Sequence, residues 1–259
     1  MSTRALPLLF LLLREASSVA SPSSRFGNHQ GGRSIGSNRK IRHHVNPLTS
    51  AHQTALALPP SWYSSLFADE ELPLHVDIGC ARGLFCLDAA SIAPHTNFLG
   101  LEIRQQLVEA AEADASLHAM GNVRFLACNA NVNFQHLLEL AQPHPPLASV
   151  TIQFPDPWFK AKHKKRRVVQ PGLVASIVAH LPPNGWLFTQ TDVLDLAEDM
   201  RETIAGVEAA ACLKDTRDRG SWDADKPALI EDVTTERERS CLELQRKVYK
   251  RLYVKRAEN

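Results

Sequence analysis

The chain has 259 residues, 44% hydrophobic and 22% charged, which is ordinary for a globular protein with a sizeable core. Its five cysteines form no C-x-x-C pair, so neither a zinc site nor a disulfide framework is indicated, and no metal is expected. The net charge of +1 hides an asymmetry: residues 1–45 hold seven Lys or Arg and one acid, leaving 22 basic and 27 acidic residues, so any nucleic-acid site in the body must be a local basic patch.

In chain order, the apolar run Leu6 to Leu13 is too short to cross a bilayer. The Ser-, Gly- and Arg-rich, acid-poor stretch after it has the composition of an organellar transit peptide rather than a secretory signal. Residues 1–44 are therefore expected to be a disordered extension and residues 45–259 the folded domain. No other long apolar stretch exists, so no membrane association is expected.

Short apolar runs then alternate with helical patterns. Strands are expected at residues 74–79, 97–103, 123–128, 148–154 and 186–191, and helices at 84–92, 105–120, 172–181 and 193–204. This β-α-β-α order implies a mostly parallel sheet covered by helices on both faces. Val207 to Leu213 reads as a strand, residues 215–232 as a charged loop, and Lys247 to Val254 as a final, antiparallel strand.

In parallel sheets, ligands bind beyond the carboxyl ends of the strands, so polar residues there carry the functional signal. The first strand ends in Asp77-Ile78-Gly79-Cys80-Ala81-Arg82-Gly83, a D-x-G-x-A-x-G turn that lets backbone pass close to a ligand at a helix N-terminus. A carboxylate at Asp77 suits a cationic group, such as the amino end of a methionine moiety. The second strand ends in Glu102-Ile103-Arg104, where an acid can accept from both hydroxyls of a ribose, with Arg104 beside it. The third ends in Cys128-Asn129-Ala130, where Asn129 either reads an adenine edge or serves as a turn residue. A nicotinamide dinucleotide and S-adenosylmethionine share this geometry. The absence of G-x-G-x-x-G favours S-adenosylmethionine.

After the fourth strand comes Phe154-Pro155-Asp156-Pro157-Trp158-Phe159-Lys160. Two prolines stiffen the loop around Asp156, and Trp158 and Phe159 offer flat surfaces for a base. Lys160, Lys162, Lys164, Lys165, Arg166 and Arg167 place six cations within eight residues, a candidate patch for a phosphate backbone.

Asp156 to Lys160 together with Lys162 to Arg167 resembles the P-D-P-W-x-K-x-x-H-x-K-R-R signature of the tRNA (guanine-N7)-methyltransferases, in their cyanobacterial and plastid branch. Gly100-Leu101-Glu102, Thr191-Asp192, Thr235-Glu236-Arg237-Glu238 and the segment Arg42 to Leu48 support the resemblance, which covers about residues 40–256. It implies a Rossmann-like class I methyltransferase fold, S-adenosylmethionine as cofactor, and methylation of a tRNA guanosine at N7, at position 46 of the variable loop in tRNA numbering. It also implies that Asp77, Gly79, Glu102, Arg104, Asn129 and Ala130 hold the cofactor. Asp156 would be catalytic. Lys160, Asp192, Thr235 and Glu238 would meet the substrate, and Lys162, Lys164, Lys165, Arg166 and Arg167 the tRNA backbone. Bacterial-type members work without a second protein subunit, and the branch points to a chloroplast ahead of a mitochondrion.

Three departures stand out: Ala81 replaces a frequent glycine, Asn129 stands where bacterial members often have Asp, and no glycine precedes the last strand. Two other readings stay open, an amino-group methyltransferase of the same fold and a non-catalytic RNA-binding module that kept it.

Overall fold

The computed structural model describes residues 45–141, 144–218 and 220–257. The expected N-terminal extension, residues 1–44, lies outside the described residues. Seven strands form one sheet in the order β3-β2-β1-β4-β5-β7-β6. They are β1 (Leu74–Ile78), β2 (Asn97–Glu102), β3 (Val123–Ala127), β4 (Leu147–Gln153), β5 (Trp186–Thr191), β6 (Leu213–Asp215) and β7 (Tyr249–Lys255). The first five run parallel; β7 inserts antiparallel between β5 and β6.

The helices are α1 (Trp62–Leu66), α2 (Leu84–Ile92), α3 (Gln105–Leu117), α4 (Ala130–Leu140), α5 (Pro171–His180), α6 (Leu194–Ala205) and α7 (Glu236–Glu243). One core cluster joins α1, α4, α5 and α6 through Tyr63, Phe134, Ile177 and Met200; the other joins α2 and α3 through Phe85 and Ala111. Both faces of the sheet are covered, which is why β1 and β2 are buried at every position instead of alternating.

The crevice depends on close packing at two glycines. A Cβ on Gly83 would lie 2.5 Å from the Phe125 ring, and one on Gly100 equally close to it. Gly83 also has φ +72°, so the turn from β1 into α2 is closed to other residues by space and by backbone conformation.

Several sequence expectations are corrected. Glu208–Cys212 is a 3-10 helix, not a strand, and only Leu213–Asp215 pairs with β7; the run Glu208-Ala209-Ala210-Ala211 favours helical turns over pleated backbone. The third helix stops at Leu117, before Met120. Helices α1, α4 and α7 were not expected, although Phe134, Leu137 and Leu138 of α4 carry the i, i+3, i+4 apolar spacing of a helix. The missing glycine before β7 has a direct answer. Gln245 takes the left-handed conformation itself, φ +52°, and the N–H of Arg246 closes the helix end onto the Cys241 carbonyl at 2.8 Å.

Candidate active site

A cleft of about 330 Å³ opens at the carboxyl ends of β1 to β4. Asp77, Gly79, Glu102, Arg104, Asn129, Ala130 and Asp156 all line it, together with Trp158, Arg166 and Thr235. Lys160, Lys162, Lys164, Lys165, Arg167, Asp192 and Glu238 are not among its lining residues.

Asp77 is 3% exposed at the end of β1. Its Oδ1 accepts from Thr151 Oγ1 at 2.6 Å and Gln153 Nε2 at 3.3 Å, and Cys86 Sγ lies 3.8 Å from Oδ2. Burial pushes its pKa up to about 6, against the lowering effect of those hydrogen bonds, and the nearby Glu102 charge adds to the rise. Behind it sits His75, fully buried and held neutral with a pKa of about 3. The single hydroxyl proton of Thr151 goes to Asp77, so His75 Nε2 must donate to Thr151 (3.1 Å) and Nδ1 must accept from Ser149 (2.8 Å). Nothing in the sequence pattern suggested this relay; it needs the pairing of β1 with β4.

Glu102 is buried at the end of β2, its carboxylate fully engaged. Oε2 accepts from the Ala81 N–H at 3.0 Å and from an Arg104 terminal nitrogen at 3.1 Å; Oε1 accepts from Arg104 N at 3.0 Å and Nε at 2.9 Å. Ala81 achieves its contact at φ +49°, a conformation that a glycine would adopt without strain. Arg104 lies between two acids: its pKa is raised first by the Glu102 hydrogen bonds, and the Asp156 charge contributes.

Asn129 is the N-cap of α4, its Oδ1 accepting from Asn131 N at 3.1 Å. Its two amide hydrogens go to the carbonyls of Pro47 (3.2 Å) and His52 (3.1 Å). Val45 and Pro47 join the cleft lining, a contribution that sequence reasoning missed.

The fourth wall is the loop after β4. Phe154 (φ +48°) and Trp158 (φ +42°) both adopt left-handed backbone, so the Pro155-Asp156-Pro157 segment turns sharply between two strained residues. Arg166 lies over the Trp158 ring at 5.0 Å and His163 meets it edge-on at 5.7 Å. The basic run itself divides. Lys160, just before a 3-10 turn (Ala161–Arg166), and Lys162, Lys164 and Lys165 on that turn are exposed, with Lys164 3.2 Å from Asp199. Arg167 is buried, bonded to the Pro157 carbonyl at 2.8 Å and to Asp199 at 2.7 Å, so it braces the loop from behind and is not available to a tRNA backbone. Phe159 projects beside Lys160, 72% exposed.

The tail supplies the last wall. Thr235 caps α7 by accepting from Glu238 N at 3.1 Å, and Thr235, Glu236 and Arg237 line the cleft. Asp192 pairs with Arg237 at 2.5 Å. Glu238 faces away: it is buried between Lys226 (2.7 Å) and Lys250 (2.9 Å), which anchors the tail and leaves it no place at the cleft. Its burial raises the carboxyl pKa and the two lysines more than offset this, so it stays ionised. Among the described residues no cluster of His, Cys, Asp and Glu could hold a metal ion, and no helix is long and apolar enough to cross a membrane.

Comparison with known proteins bears on the family and the fold. The family model described as "Putative methyltransferase" matches residues 71–251. The tRNA (guanine-N(7)-)-methyltransferase of Parasynechococcus marenigrum is 45% identical over 218 residues, covering 84% of this chain and 89% of the relative. That of Synechocystis is 44% identical, covering 82% of this chain and 95% of the relative. Among solved structures, the antibiotic-resistance methyltransferase Kmr shares the fold at a TM-score of 0.50 and 14% identity, over 79% of this chain and 96% of that one. The chain belongs to the tRNA (guanine-N7)-methyltransferase family and has its class I, Rossmann-like methyltransferase fold.

Proposed function

We infer that this chain transfers the methyl group of S-adenosylmethionine to N7 of a guanosine in tRNA, forming 7-methylguanosine. One observation carries the reading: a single cleft joins the strand-end acids Asp77 and Glu102 to the Asp156 loop, and that loop runs directly into an exposed basic turn.

The residues fit the cofactor. Asp77, ionised, offers negative charge to an ammonium group, and Gly79 and Ala81 bring backbone close beside it. Ribose hydroxyls can donate to Glu102 in exchange for the Arg104 fork, because all four of its acceptor positions are already used. When bound, S-adenosylmethionine supplies an activated methyl group on a sulfonium. Guanine N7 carries a lone pair and no proton, so no general base is needed, and the protein's task is alignment. Asp156 can accept from the N1 and N2 hydrogens of guanine and so stabilise the positive charge that grows on the base. The loop's prolines and the Arg167 brace hold that carboxylate in place. Thr235 and Arg237 line the same cleft from the tail and would border the nucleotide, with Asp192, outside the lining, holding Arg237 by its ion pair.

Outside the cleft, Lys160, Lys162 and Lys165 would meet phosphates, and Phe159 would stack on a base. The resemblance to bacterial-type members supports an enzyme that acts without a second protein subunit. The Arg- and Ser-rich leader supports an organellar address, with the chloroplast ahead of the mitochondrion. The family resemblance supports position 46 as the target. Methylation of a tRNA transcript with guanosine at that position, and none of the same transcript carrying adenosine there, is the expected result; equal methylation of both would reject the position.

A further inference from the structure

The cofactor cleft has a wall that is not part of the sheet. Residues 45–58 cross its outer side as a strap that begins with Val45 and Pro47 at the cleft and ends with Leu56 and Leu58 packed on the core. Between them, a 3-10 turn (Ser50–His52) lets the Gln53 side chain donate back to the Pro47 carbonyl at 2.8 Å.

Three side chains of one helix hold this strap. Asn129, Asn133 and His136 stand at i, i+4 and i+7, on one face of α4. Asn129 donates both amide hydrogens to the strap, to the carbonyls of Pro47 and His52. Asn133 accepts from Leu56 N at 2.7 Å and donates to the Asn129 carbonyl at 3.1 Å, tying the first contact to the second. His136 Nε2 donates to the Leu56 carbonyl at 3.0 Å. Only Asn129 of the three lines the cleft.

The hydrogen bookkeeping shows where the Asn129 amide is committed. Its two donors are spent on the strap and its oxygen caps α4, so its NH2 has no hydrogen left for an acceptor on an adenine ring. An aspartate of the same shape could keep the cap but could not donate to either carbonyl. We propose that Asn129 is a positioning residue for a nucleoside-binding wall: with Asn133 and His136 it holds the strap so that Val45 and Pro47 close an apolar slot with Ile103, Cys128 and Ala130, the slot that takes the adenine of the cofactor. The slot's chemistry suits a flat, weakly polar ring held mainly by contact.

This rests on the cofactor reading above, and the experiment separates the two. Titrate S-adenosylhomocysteine into the full chain and into Asn129→Asp and His136→Ala, with melting curves for all three. If the wild type does not bind, the cofactor reading itself fails. If it binds, the proposal expects about tenfold weaker affinity in Asn129→Asp and a several-fold loss in His136→Ala, carried by faster dissociation. His136 is half-buried and outside the cleft, so its loss reports on the strap alone and stays informative if Asn129→Asp folds poorly. Hydrogen exchange of the 45–56 amides should slow on adding S-adenosylhomocysteine to the wild type. Asn129→Asp binding as tightly as the wild type, or His136→Ala leaving affinity unchanged at an unchanged melting temperature, would overturn the proposal.

Discussion

The two sides of the cleft are built in opposite ways. On the side proposed for the cofactor, polar groups are buried, few and satisfied by neighbours: Asp77 by Thr151 and Gln153, Glu102 by Arg104 and Ala81. On the side proposed for tRNA, charge is exposed and numerous, and order comes from braces placed behind it, such as Arg167 on Asp199 and Glu238 between Lys226 and Lys250. In the proposed reading, a small ligand of fixed shape would be met by a preformed crevice, and a long polyanion by solvated cations on a stiffened loop. Asp156 stands where the two meet.

The sharpest break of that comparison comes at the meeting point. Asp156→Ala should lower turnover by about 10²- to 10³-fold, the scale of losing one preorganised charge-stabilising group. Binding of S-adenosylhomocysteine should stay within a few fold of wild type, measured by titration of the same protein. Cofactor affinity falling as far as turnover would move Asp156 to the cofactor side.

That Asp77, Glu102 and Asn129 share one cleft was legible in advance. Asp77, Glu102 and Asn129 each sit at the end of a strand that hydrophobic runs locate, and parallel topology then brings all three to one edge. The tRNA side was legible as composition but not as structure. Six adjacent cations look alike in a sequence, and only the fold shows that Arg167 turns inward to Pro157 while Lys160 and Lys162 face solvent. Glu238 was assigned to the substrate by the resemblance alone, and only the fold brings its two lysine partners, Lys226 and Lys250, to it from elsewhere in the chain. The strap went unread because its contacts lie 77 to 82 residues away in sequence.

Replacing Lys160, Lys162 and Lys165 with Ala should weaken tRNA binding by about tenfold or more, and should flatten the plot of log affinity against log salt by roughly 0.7–0.9 for each lysine that meets a phosphate. Affinity for S-adenosylhomocysteine should not move. An unchanged salt slope would place the backbone contacts elsewhere.

On the other side, cofactor affinity should depend on pH through Asp77. With a pKa of about 6, its carboxylate is mostly ionised at pH 7 and about one-tenth ionised at pH 5, so S-adenosylhomocysteine should bind about tenfold more weakly at pH 5. The sign for stability is opposite. A carboxyl whose folded pKa is raised favours the protonated folded form, so the Asp77 contribution to stability falls as pH rises from about 4 to about 6. Asp77→Asn should remove that portion of both trends, and a titration curve unchanged by it would assign the dependence to another group.

Phe159→Ala should raise KM for tRNA by several fold through loss of about 1 kcal/mol or more of stacking, with the salt slope intact. Trp should restore it and Leu should not. The smallest expected effect is a gain: Gln245→Gly should stabilise the protein by about 1 kcal/mol, because a left-handed helix end suits glycine, and a lowered melting temperature would show that the Gln245 side chain matters more than its backbone.

The most direct test of the account is the product itself. Purified chain is incubated with radiolabelled S-adenosylmethionine and bulk tRNA that lacks the modification, and the tRNA is digested to nucleosides and separated. The account predicts label in 7-methylguanosine alone, reduced about 10²- to 10³-fold by Asp156→Ala. Label at any other ring nitrogen or at an exocyclic amine, or cofactor binding with no transfer to tRNA, would contradict it.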